Sequence, residues 1–410
     1  ACTKAEISAT SLDIIDYKDV QLKVIYTPAN ATGSADVVWK AGNNVQEVSI
    51  DQTGLVTPRL RGTDTVTAYW ASGNADNNAI GSCNVAVRFA RPGTPTQIHR
   101  VTVNGGGKRD GTTWANALSG ADMANILNAV RYDQDASMPQ PVEFWVASGD
   151  YRPTTGGDRS KSFVLSQKIK LYGGFAGNET SIASRNVSKN RTTLNGDIGT
   201  SGTKTDNSYH VVMLDAKDAT MTDTILDGFT IKNGYADGEG ENANGGGLYL
   251  AREDPLITNC TFTDNYAADA GGGLYGSGGK RPTVTNCAFI DNSAGQNGGG
   301  MRNFGTHAIV VNCTFSGNYA MEEGGGMYNS AASPIVVNCT FAGNRADGGT
   351  KDARQGSAMR NIISGHPVVA NCVFWNPDAL HEIRNSGGAA ASTDLTIKNS
   401  VVREWKVTVD

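Results

Sequence analysis

The middle of this 410-residue chain repeats four sets of residues that could each do chemistry. The stretch NCTFTDNYAADAGGGLYG, residues 259–276, has relatives in NCAFIDNSAGQNGGGMRN, NCTFSGNYAMEEGGGMYN and NCTFAGNRADGG. Cys260, Cys287, Cys313, Cys339 and Cys372 offer thiols for nucleophilic or metal chemistry, and Asp264 and Asp291 offer a pair of carboxylates. Asn259, Asn286, Asn312, Asn338 and Asn371 offer amides, and Tyr249, Tyr275, Arg302, Tyr328, Arg360 and Arg384 alternate aromatic and guanidinium groups. Each set also has a plainer reading as a corner or a core position of a repeated scaffold.

The cysteines favour the plainer reading. They are 27, 26, 26 and 33 residues apart, the total of seven is odd, and no CxxC or Cys/His cluster marks a metal knot. Side chains in a strand alternate faces, so each Cys shares a face with the Phe two residues on. The branched residue three before it (Ile257, Val284, Val310, Val336, Val369) can share that face only if the alternation breaks. The intervening Asn sits at the break, and Asn tolerates the left-handed backbone of a sharp corner. The expected result is an Asn ladder at a bend above a column of reduced, buried thiols. Asn265, Asn292, Asn318 and Asn344 read as further corners, as do the Gly triplets.

Asp264 and Asp291 occupy the same place in FTDN and FIDN, so stacking would set them about 4.8 Å apart. Such a pair could share a proton or bind Ca²⁺. The next repeats place Gly317 and Gly343 there, which favours a turn. The Tyr/Arg column follows each inward Leu or Met, so alternation points it outward over roughly 24 Å. Tyr faces stack on sugars and Arg matches carboxylate or sulfate, which suits an acidic glycan. Mutual stacking that stabilises the sheet is the alternative.

The elements that position these columns follow from the period. Leu248, Leu274, Met301 and Met327 recur after 26, 27 and 26 residues, with Met359 and Ile383 after 32 and 24. Strands and turns repeating at about 26 residues mean the stacked coils of a β-solenoid. Before it, ADMANILNAV places Met123, Ile126, Leu127 and Val130 on one side of a short helix. The segment ARPGTPTQ, residues 90–97, reads as a linker. Residues 1–89 read as short strands of a small β-sandwich, with Trp39 and Cys83 in its core.

Two resemblances add to this. Tyr26-Thr-Pro-Ala-Asn-Ala-Thr, Val38-Trp39, Val48-Ser-Ile-Asp-Gln-Thr-Gly54-Leu-Val and Gly62-Thr-Asp-Thr-Val-Thr-Ala68 resemble a bacterial Ig-like domain of group 2. The FxxN elements with GGGL or GGGM resemble the right-handed parallel β-helices of bacterial surface adhesins and polymorphic outer membrane proteins. The expected fold is all-β: an Ig-like sandwich over 1–89, a linker over 90–104, and a right-handed parallel β-helix over 105–410. Its regular coils would run from about 227 to 400, behind a short N-terminal capping helix.

The resemblance implies a non-catalytic, adhesin-like protein, secreted to the cell surface, that presents the β-helix to a glycan or to a host or envelope surface protein. Ala1-Cys2 is compatible with an acylated Cys2 of a Gram-negative outer-membrane lipoprotein, the membrane being touched only through that anchor. A monomer without a required cofactor is expected, with Ca²⁺ the one ion suggested. β-Helices also carry polysaccharide lyases and hydrolases, but the polygalacturonase strings NTD, DD, GHG and RIK are missing, the nearest being Gly365-His366-Pro367. His99, His210, His307, His366 and His381 show no HxxxH or HxH spacing, and no GxSxG or P-loop occurs. An enzyme on acidic polysaccharide and a purely structural envelope rod are therefore the alternatives. A net charge of -5 argues against a nucleic-acid partner, and no run of 18 apolar residues suggests a membrane span.

Overall fold

The computed structural model describes residues 97–133, 141–166, 168–215, 223–252, 254–348, 356–363, 365–386, 395–405 and 407–409, and the strands between Lys4 and Arg88. Those early strands form three small sheets. The largest places Ala79–Arg88 between Ser11–Ile15 and Gly62–Trp70, with Val37–Ala41 on the outer side of the latter. Val66, Ala68 and Cys83 are buried in it. Cys2 and the side chain of Trp39 lie outside the described residues.

The remainder is a parallel β-helix. Each coil gives one strand to each of three long sheets, and the regular coils add a two-residue strand to a fourth. A regular coil runs Leu256–Thr258 (first sheet), Thr261–Thr263 (second), Tyr266–Ala267 (fourth) and Leu274–Ser277 (third). Its neighbours pair in parallel without slippage, so each repeat position meets its counterpart in the next coil. Gln97–Thr102 already pairs with Val142–Ala147 in the first sheet. Sheet pairing thus starts inside the stretch 90–104 assigned to a linker, because IHRVT carries enough apolar character to join the core.

Helix α1, Met123–Asp133, buries Met123, Ile126 and Leu127 and packs against Phe163–Leu165 of the first coil. Leu118–Ser119 pairs with Val101 and Thr102 on the other side of that strand. The start of the first sheet is therefore covered by the chain's own residues, which removes an open edge.

The core repeats from coil to coil. Phe262, Phe289, Phe315, Phe341 and Phe374 stack with ring centroids 4.6–4.9 Å apart and planes within 10°. Each such ring contributes about 1.5–3 kcal/mol by burial. The five repeat cysteines lie beside them, buried and unpaired. Their thiols face backbone carbonyls, as Cys287 does toward Thr285 at 3.2 Å, and burial pushes the Cys287 thiol up.

The two Asn columns separate. Asn259, Asn286, Asn312, Asn338 and Asn371 all have φ of 52–55°, so the left-handed corner expected between the first two strands is present. In the second column the left-handed residue is the one before the Asn: Asp264, Asp291, Gly317 and Gly343, with φ of 53–65°. The reading of Asn265, Asn292, Asn318 and Asn344 as corners is corrected accordingly. The turn flips each of these side chains inward, where they are buried and bond to one another. The triplets are also tighter than turns alone demand, since a Cβ on Gly273 would lie 2.5 Å from the carbonyl oxygen of Gly300 in the next coil.

Candidate groove on the second sheet

The Tyr/Arg column stands in the predicted register, pairing Tyr249 with Tyr275, Arg302, Tyr328, Arg360 and Arg384 in successive coils. It is not an open stripe. Tyr249, Tyr328 and Arg360 are only 6, 5 and 7 % exposed. Loop carboxylates lie against it, with Asp269 3.6 Å from Arg302 and Glu323 3.1 Å from Arg360. The rings of Tyr249 and Tyr275 stack at 5.5 Å, and the Arg302 guanidinium sits 5.8 Å from the Tyr275 ring and 5.4 Å from that of Tyr328. Burial pushes the Tyr328 hydroxyl up to about 12. The side chains spend their stacking and charge on one another, because the loops before each third-sheet strand fold over the column.

Asp264 and Asp291 are exposed at left-handed corners. Asp264 accepts a hydrogen bond from the Thr263 hydroxyl at 3.0 Å. Asp291 reaches over the next coil, where its Oδ1 would be 2.2 Å from a Cβ on Gly317. Among the described residues no set of three His, Cys, Asp or Glu side chains converges to hold a metal. Both carboxylates stand where turn geometry requires a left-handed residue.

A different feature collects polar groups. Residues 176–191 leave the coil path and fold beside the outer face of the second sheet. Gly174, at φ 92°, starts the departure, and its N–H is bonded to the Thr192 hydroxyl at 2.9 Å. The Glu179 carboxylate closes the first turn by accepting from the N–H groups of Ala176, Gly177 and Asn178. Burial works to raise its pKa, but these donors hold the carboxyl below its ordinary range. Trp114 donates to the Glu179 carbonyl at 2.8 Å, and its ring packs 5.5 Å from Phe175, which stacks on Trp145. Arg185 pins the far end of the loop, donating to the Gly173 carbonyl at 2.9 Å and pairing with Asp227. Asp227 in turn accepts from the amide of Asn259 at 2.8 Å.

Between this loop and the sheet lies a groove of about 870 Å³. Its wall holds Ile182, Arg185, Val187, Ser188 and Arg191; its floor holds Thr230, Thr261, Thr263 and Ile290, with Asn259 and Asn286 at the corner. Arg185 is neutralised by Asp227. Arg191 is exposed, and its guanidinium has no ion-pair or hydrogen-bond partner among the described residues. No Asp, Glu, His, Cys or Tyr lines the groove. It can therefore hold an anion among hydroxyls and amides, and its lining offers no carboxylate, imidazole, thiol or phenol for acid-base work. Sequence periodicity could not find this groove, because half of it belongs to a loop outside the repeat; the Gly pair in LYGGF was the one local signal of a departure.

The described strands and a family model agree on the architecture. Residues 219–402 match the family model described as "Right handed beta helix region". No curated protein matches the sequence. A solved structure, the pectin methylesterase from Aspergillus niger in deglycosylated form, is 14 % identical, with 77 % of this chain and 89 % of that chain covered at a TM-score of 0.42. A likeness at that level transfers no activity. The chain contains a right-handed parallel β-helix.

Proposed function

We propose that this protein is a non-catalytic binder of an acidic glycan, held along the groove on the second sheet and displayed at a bacterial cell surface. The observation that supports it most is Arg191, an unpaired guanidinium in a trough of Thr hydroxyls and Asn amides that lacks acid-base side chains. A carboxylate or sulfate on the polymer pairs with Arg191, and the sugar hydroxyls exchange hydrogen bonds with Thr230, Thr261 and Asn286. The surface setting and the Ig-like stalk rest on the sequence resemblance. The adhesin reading moves from the Tyr/Arg stripe to this groove.

Affinity electrophoresis against polygalacturonate, alginate and chondroitin sulfate tests the proposal. Wild type binds at least one of them, binding weakens with added salt, and Arg191→Ala weakens it roughly tenfold or more, as loss of a charge-assisted contact requires. An unchanged Arg191→Ala removes the groove as the site. New reducing or unsaturated ends would make the protein an enzyme, and failure to bind any acidic polymer would leave the structural rod.

A further inference from the structure

We propose that Trp375 is a second, distal subsite of the same groove: an aromatic platform on which a sugar ring of a long acidic glycan stacks while another part of the chain pairs with Arg191. This rests on the glycan-binding reading above. The outer face of the second sheet carries a column whose register runs Thr263, Ile290, Ser316, Ala342, Trp375. Thr263 and Ile290 line the groove, and Trp375 ends the column 55 % exposed. Four steps of strand spacing separate Thr263 from Trp375, about 19 Å along the rod axis. Between them stand only Ile, Ser and Ala, so the floor is continuous and low enough for an extended chain to lie on it.

The indole is also unlike the other aromatic side chains on outer faces. Trp114 and Trp145 pack against Phe175, Tyr249 stacks on Tyr275, and Tyr235 stacks on Tyr266. Trp375 has no ring, cation or side-chain hydrogen-bond partner among the described residues. Its backbone is fixed, since the Trp375 carbonyl accepts from the Gly343 N–H at 3.1 Å within the paired strands. An exposed indole on a fixed backbone suits the C–H face of a pyranose, whose hydroxyl edges are left for the Ser and Thr floor. Arg191 at one end and Trp375 at the other would select a charged polymer by length as well as by charge.

The experiment uses the full chain and the polymer that binds best, with its trisaccharide as the short ligand, in titration calorimetry. Trp375→Ala is expected to weaken the polymer roughly tenfold, the size of one stacked ring, while the trisaccharide held at Arg191 is unchanged. Trp375→Tyr keeps most of the polymer affinity, and Arg191→Ala weakens both ligands. Polymer affinity unchanged in Trp375→Ala while Arg191→Ala still weakens it overturns the distal subsite and leaves the groove. Equal losses for polymer and trisaccharide also overturn it. If light scattering shows that Trp375→Ala splits a dimer while glycan binding stays intact, the platform is a contact between copies and the proposal fails. If neither ligand binds wild type, the groove reading fails and the subsite goes with it.

Discussion

Two asparagine columns run the length of the regular coils with the same residue type and the same period, yet they do different work. Asn312 stands for the outer column: it is exposed, its φ is 54°, and its amide donates to Asn286 at 3.3 Å. Asn318 stands for the inner column: it is fully buried, donates to Asn344 Oδ1 at 2.9 Å and to the Phe289 carbonyl at 2.9 Å, and accepts from the Asn292 backbone N–H at 3.1 Å and side chain at 3.0 Å. Outside, Asn is used for the backbone conformation it tolerates. Inside, it is used because one amide both donates and accepts, and buried polar groups must be paired. The inner ladder ends on Asn376, which donates backbone and side-chain N–H groups to the buried carboxylate of Glu382 at 2.8 and 2.5 Å.

The largest test of this contrast is Asn318→Ala. It strips the Asn292 N–H groups of their acceptor and removes the amide that donates to the Phe289 carbonyl, so a loss of about 3–5 kcal/mol is expected from denaturant unfolding. Asn318→Gly should cost as much, since backbone freedom does not replace an amide.

A second test uses proton uptake. Amides do not titrate, so the asparagines themselves add no pH dependence, whereas the buried imidazole of His210 does. Burial lowers its pKa to about 4 from the ordinary 6.5, and its Nδ1 lies 3.0 Å from the Gly245 carbonyl oxygen. Above pH 6.5 the ring is neutral folded or unfolded, and stability is complete. As pH falls from 6.5 toward 4 only the unfolded chain takes the proton, so stability drops, by about 3 kcal/mol at most. Denaturant midpoints at pH 7, 5.5 and 4.5 should show the decline. His210→Gln should flatten it, and Asn318→Ala should leave its slope unchanged.

The smallest effects belong to the outer column. Asn312→Ala forces a Cβ-bearing residue without a local polar group into the left-handed region, at about 1–2 kcal/mol. Asn312→Gly relieves that strain and should cost about 0.5 kcal/mol or less. If glycine rescued position 318 as it does 312, or failed at both, the two columns would not differ in the way described.

Much of this was legible in the residues. The odd spacing between the branched residue and the Cys required a break in alternation, and the positive φ at Asn259 and its equivalents is that break. The inner column was misread because Asp264 and Gly317, one residue earlier, supply the left-handed turn, and no spacing rule says which of two adjacent turn residues bends. The Tyr/Arg column had the right register but the wrong exposure. Pairing follows from period two, whereas the cover over Arg302 and Arg360 comes from loops containing Asp269 and Glu323, whose path is not periodic.

What the sequence determined alone is therefore the repeat: its strands, its inward Phe and Cys, and the positions where the chain must bend, because local alternation and turn chemistry act over two or three residues. Only the tertiary structure decided which outward groups meet solvent. Exposure depends on segments distant in the chain, and the loop of residues 176–191 leaves Arg191 free beside Thr261 while other loops close over the tyrosines.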